Sequence, residues 1–223
     1  MDAAAAIARE IDALPRRDTA SVRAVRKRWS ATLRSAPAAE VLAIAVALEA
    51  QAAQTGKWVA YELVRFHPAA FAAISETQIA EFAGRAQSWY AVDALGTILT
   101  GPLWAKGRLP DGLIEDWSRS GDRWLRRSAL VATVGLNARA SGGAGDAART
   151  LAICRGLASD RDDMVEKALS WALRFLSQRD RPAVERFMAE MGDRLPARAR
   201  REVRHKLTTG LKSRRTGQKV TTD

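Results

Sequence analysis

Apolar residues in this chain recur at intervals of three and four, and Val and Ile seldom alternate with polar neighbours. That period puts one apolar side chain per turn on a single face of an α-helix and gives a β-strand no apolar side. Ala, Leu, Arg and Glu dominate, all good helix formers. Stops punctuate the pattern at Pro15, Pro37, Thr55-Gly56, His67-Pro68, Gly101-Pro102, Leu109-Pro110, Gly121, the Ser141 to Gly145 loop, Ser159-Asp160, Asp180 to Pro182 and Pro196. About ten helices of ordinary length fit between these stops. Amphipathic helices joined by short loops pair antiparallel, so the expected class is all-α, a bundle or an α-solenoid.

Three segments read as variants of one unit: Trp89 to Leu99, Arg123 to Asn137 and Met164 to Ser177. Their starts lie some thirty to forty residues apart, the period of paired-helix repeats. A single repeat domain over residues 1–211 is expected, followed by a polar tail, Lys212 to Asp223, that lacks apolar periodicity and is expected to be disordered.

With 47% hydrophobic residues the chain can bury a substantial core. No apolar run reaches the roughly 18 to 20 residues of a membrane span; Val41 to Ala53 already carries Glu49 and Gln51. The first helix, Met1 to Leu14, has no basic n-region and holds Asp2, Glu10 and Asp12, which argues against a signal peptide and for the cytoplasm. Cys154 stands alone, so no internal disulfide forms, and with His67 and His205 far from it no zinc site of the usual spacing is available. Ser141-Gly142-Gly143-Ala144-Gly145 follows a helix and lacks a phosphate-loop lysine, so it reads as a flexible connection.

Lys and Arg number 36 against 25 Asp and Glu, a formal net charge of +11. Such an excess favours a polyanionic partner. It is concentrated in Thr19 to Ala39, which holds Arg23, Arg26, Lys27, Arg28 and Arg34 with no acid, and in Arg198 to Arg215, where Glu202 is the acid present. Against that background Asp93 is conspicuous. It lies four residues after Trp89, about 40° around a helix axis, so carboxylate and indole share one face. The pair suits stabilisation of positive charge developing on a sugar. Asp93 can equally pair with Arg127 to hold two repeats in register. Lys167, Trp171 and Arg174 fall at i, i+4 and i+7 on one polar stripe, either a solvated face or a ligand surface. For Trp89 and Trp171 an inter-helix wedge and a ligand contact are both open, whereas Trp58, Trp104, Trp117 and Trp124 read as wedges and Cys154 as core.

Taken together, Ser88-Trp89 through Asp93, Trp124-Leu125-Arg126-Arg127-Ser128-Ala129 and Glu166-Lys167-Ala168-Leu169-Ser170-Trp171-Ala172-Leu173-Arg174 resemble the AlkD family, the bacterial alkylpurine DNA glycosylases built from HEAT-like helical repeats. The resemblance covers about Ala50 to Lys206, and its last segment is the most specific. It implies an α-solenoid of HEAT-like helix pairs with a concave basic face. Trp89, Asp93 and Trp171 would form the catalytic cleft on that face, with Arg127, Lys167 and Arg174 toward the DNA backbone. It also implies a monomeric, cofactor-free hydrolase of N-glycosyl bonds in double-stranded DNA containing alkylated purines, monofunctional and working without base flipping. Tyr90 and Ala91 stand where many relatives carry more polar residues, and Trp29 lies in an N-terminal region that matches poorly. The alternative is a helical-repeat protein that binds damaged or branched DNA without excision; a scaffold for a protein partner would need an apolar patch in place of the three cations.

Overall fold

The computed structural model describes residues 2–53 and 56–211. The expected tail, Lys212 to Asp223, and Thr55 of the predicted Thr55-Gly56 stop lie outside them. Among the described residues every regular element is helical. One layer consists of α2 (Thr19–Thr32), α4 (Trp58–Arg65), α7 (Trp89–Leu95) continuing into α8 (Gly101–Ala105), α10 (Arg123–Asn137), α12 (Asp163–Leu176) and α14 (Ala197–Thr209), each beside the next. Behind it run α1 (Ala3–Asp12), α3 (Ala38–Gln51), α5 (Pro68–Ala73) with α6 (Glu76–Arg85), α9 (Asp111–Ser118), α11 (Ala147–Gly156) and α13 (Arg181–Met191). The result is a two-layer solenoid of helix pairs, and the three repeat segments of the sequence are its neighbouring front-layer helices.

Local chemistry sets the helix starts. Asp18, Asp122, Asp146, Asp162 and Asp180 cap α2, α10, α11, α12 and α13 through side-chain acceptors, and Ser75 with Gln78 forms a capping box on α6. Apolar faces then close a continuous core from Ala4 to Val203. The centre of that core is α10, buried without a break from Arg127 to Asn137. Trp104 and Trp117 are buried wedges, as spacing predicts, and Cys154 is fully enclosed. The Ser141 to Gly145 loop is not a loose connection. Gly143 and Gly145 donate to the Ala138 and Leu136 carbonyls, and Arg179 donates to the Gly143 carbonyl, so the loop caps the end of α10.

Ion pairs join successive repeats at nearly constant separation. Arg127 with Asp93 and Arg126 with Asp160 are 34 residues apart, Arg155 with Glu190 and Arg198 with Asp163 are 35, and Arg85 with Glu49 is 36. Much of the arginine excess is therefore spent inside the solenoid, between repeats.

The predicted stop at Gly101-Pro102 does not end a helix. α7 runs through a π-helical turn, Gly96–Thr100, directly into α8. Pro102 lacks an N–H and its ring crowds the carbonyl four residues back, and the wider turn before it relieves both defects. Glycines make the rod fit. A Cβ at Gly101 would stand 2.6 Å from the Ala132 carbonyl oxygen and from the Gly135 Cα, and one at Gly96 would stand 2.6 Å from Val131 Cγ1. α8 thus meets α10 backbone to backbone, which fixes how closely α7 and its Asp93 approach α10. Gly101→Ala is expected to lower stability by about 2 kcal/mol, because the clashing atoms are backbone and cannot turn away; thermal unfolding of the variant measures it, and an unchanged midpoint would refute the close approach.

Candidate active site

Ser88 caps α7 and starts the helix at Trp89, so Trp89 sits at the rim and Asp93 one turn deeper. Trp89 is 44% exposed and stacks on Tyr90, ring centroids 3.5 Å apart. Asp93 is largely enclosed and both of its oxygens are held. Arg127 Nε donates to Oδ1 and Nη2 to Oδ2, each at 2.9 Å, the fork geometry that arginine and carboxylate favour. Arg127 itself is buried, and its Nη1 donates to the Met164 carbonyl in the first turn of α12. One guanidinium therefore ties α7, α10 and α12 together. Burial pushes the Asp93 carboxyl above its ordinary pKa, while the hydrogen bonds and charge of Arg127 pull it back down.

The next front helix carries Trp171, half-buried and edge-on to Phe175 with centroids 5.9 Å apart. Lys167 is exposed, and its Nζ lies 2.6 Å from Asp163 Oδ2. Lys167 and Arg198 together hold the Asp163 carboxyl below its ordinary range. Arg174 departs from the polar stripe that spacing predicts. It is buried, with Nε donating to the Ser170 carbonyl at 3.2 Å and Ser170 Oγ at 3.1 Å, and Nη2 lies 3.8 Å from Glu202 of α14. The long stem lies along the packed helix and the head is satisfied locally, so no solvent contact is needed. Of the three cations on α10 and α12 singled out by sequence, Lys167 is the one with an exposed head.

The acid-free basic run on α2 finds its acids elsewhere. Arg23 and Arg26 both donate to Glu62 of α4, and Arg28 and Trp29 both donate to Glu10 of α1. Trp29 is therefore a packing residue with its indole N–H satisfied. Tyr90 is 51% exposed beside Trp89. Trp58 and Glu62 repeat the Trp89 to Asp93 spacing one repeat earlier, a signal carried by the repeat period of the sequence. Among the described residues no group of His, Cys, Asp and Glu is arranged to hold a metal ion.

Because its guanidinium is consumed by protein acceptors, Arg127→Ala is expected to lower stability by about 3 kcal/mol, leaving Asp93 without its partner, and to change duplex affinity little. Chemical denaturation and DNA titration at fixed salt separate the two effects; a stable variant with weakened DNA binding would contradict the assignment.

The geometry is thus a repeat solenoid with a paired carboxylate below an exposed indole. Searches of curated proteins and of solved structures return no match. The family model described as DNA alkylation repair enzyme matches residues 18–207, a span that contains α2 through α13 and nearly all of α14. The chain belongs to the DNA alkylation repair enzyme family.

Proposed function

We propose that this member of a DNA repair family is a monofunctional DNA glycosylase that hydrolyses the N-glycosidic bond of cationic N3- and N7-alkylated purines in duplex DNA. The observation that carries the reading is Asp93, an enclosed carboxylate held in a fixed orientation one turn below an exposed indole. An alkylated purine already bears positive charge, so it departs as a neutral base without a general acid. The charge passes to the deoxyribose as an oxocarbenium ion. A carboxylate near C1′ stabilises that cation, and the electron-rich faces of Trp89 and Trp171 add cation–π attraction to lesion and sugar. Water then bonds to C1′ and gives up a proton, leaving an abasic site and an intact strand.

The fork to Arg127 is compatible with this role. Each carboxylate oxygen has two lone pairs and Arg127 takes one of each, so one per oxygen remains for sugar charge or water. In this reading Arg127 is a positioning residue, and the exposed head of Lys167 is the candidate contact to the DNA backbone. No step needs a lysine nucleophile or a flipped lesion. The same fork also favours a second reading, a non-catalytic binder of damaged or branched DNA in which the ion pair only joins repeats.

Two measurements separate them. Asp93→Asn is expected to slow release of 7-methylguanine and 3-methyladenine from methylated duplex by roughly a hundredfold, with DNA affinity unchanged or raised, since a negative charge near phosphate is removed. Wild-type protein that binds such DNA in a salt-sensitive manner and releases no base supports the second reading. The active form is the carboxylate, so excision falls as pH drops through the Asp93 pKa. Burial raises that pKa, which places the acid limb above the ordinary carboxylate range; a pH–rate profile without that limb would count against Asp93 as the reactive group.

A further inference from the structure

A cavity of about 610 Å³ opens where the first turns of α2, α4 and α7 meet the ends of α1 and α3. Its volume is that of a site for a small ligand. The chemistry proposed above makes no use of it, since Asp93, Arg127 and Trp171 do not line it. The two spaces nevertheless share a wall. Tyr90 lines the cavity and stacks on Trp89 of the candidate active site at 3.5 Å.

The lining has three chemical parts. Val22, Val59 and Ile98 give aliphatic surface. Trp58 and Tyr90 give two aromatic rings, and Tyr90 is half exposed. Arg23 and Arg17 give guanidinium groups, with the Asp12 carboxylate that pairs Arg17 beside them. Arg23 lies 5.0 Å from the Trp58 ring centroid and is held there by Glu62, yet its side chain stays 43% exposed. Arg17 is 60% exposed and pairs with Asp12 at 3.0 Å. A π-face for a base and guanidinium groups for a phosphate are two elements by which proteins hold single nucleotides without reading sequence.

We propose that this cavity binds one unstacked nucleotide of the DNA, with its base on Trp58 and Tyr90 and its phosphate on Arg23 and Arg17. The inference rests on DNA as the partner of this repair protein and not on base release. It adds to the proposed cleft a neighbouring pocket that would hold an extrahelical nucleotide of the distorted duplex while Asp93 faces the lesion.

The test is ligand-observed saturation-transfer NMR on the full chain with deoxyadenosine monophosphate as the probe, titrated beside deoxyadenosine. Transfer to the adenine H2 and H8 protons is expected, with tighter binding of the monophosphate than of the nucleoside. Tyr90→Ala, which replaces a half-exposed ring, is expected to weaken the monophosphate roughly tenfold, and Trp58→Ala similarly if it folds. Asp93→Asn is expected to bind the probe as the wild type does, so loss of base release and loss of this pocket are read separately. No saturation transfer would overturn the proposal, and so would transfer that survives Tyr90→Ala and disappears in Trp171→Ala, because the probe would then occupy the neighbouring cleft.

Discussion

The Asp93–Arg127 fork is the contact on which the arrangement of the site depends. It closes at 2.9 Å on both arms, and the third nitrogen of the same guanidinium holds the start of α12. A buried charge pair is a poor source of net stability, because desolvation offsets most of the attraction, but its geometry is demanding. Removing either partner strands the other. The pair therefore acts as a register pin: three repeats cannot slide relative to one another without breaking it. Because the residue it pins is the carboxylate, the register of the solenoid and the orientation of Asp93 are one constraint. The glycine contact below it serves the same end, since Gly101 and Gly135 let the two helices meet closely enough for the fork to form.

The charge pattern has to be read through the same geometry. A net charge of +11 suggests a surface covered in free cations, yet many arginines are spent on carboxylates and carbonyls of the adjacent repeat. Arg26, Arg127 and Arg174 are all buried. What faces outward near the candidate site includes the indole of Trp89, the ring of Tyr90, the ammonium of Lys167 and the guanidinium of Arg123, one turn before Arg127 on α10. In the proposed reading, this surface would meet DNA through aromatic contact and a few cations.

Helix class and repeat order were legible in the sequence because they rest on period, and period survives without knowledge of contacts. Trp89 and Asp93 were legible for the same reason, being one turn apart on one helix, and the pairing of Asp93 with Arg127 stood among the alternatives. Departures occurred where a partner lies a repeat away. Gly101-Pro102 reads as a stop, and the π-helical turn that absorbs the proline is packed against Gly135, 34 residues further on. Arg23 and Arg26 look unpaired in an acid-free run, and their acid comes from Glu62. Arg174 looks solvated until α14 brings Glu202 beside it. Local pattern fixes which face a residue occupies; only the stacking of repeats decides whether that face is covered.

In the proposed reaction Arg127 acts through Asp93 and not through the DNA. A double-mutant cycle on base release from methylated duplex tests it most directly, using Asp93→Asn, Arg127→Met and the combined variant under single-turnover conditions. Residues that act as a unit are strongly non-additive. The combined variant is expected to release base no more slowly than Asp93→Asn alone. Losses that multiply across the two sites would mean instead that Arg127 makes its own contact with the substrate, and would refute a role through Asp93.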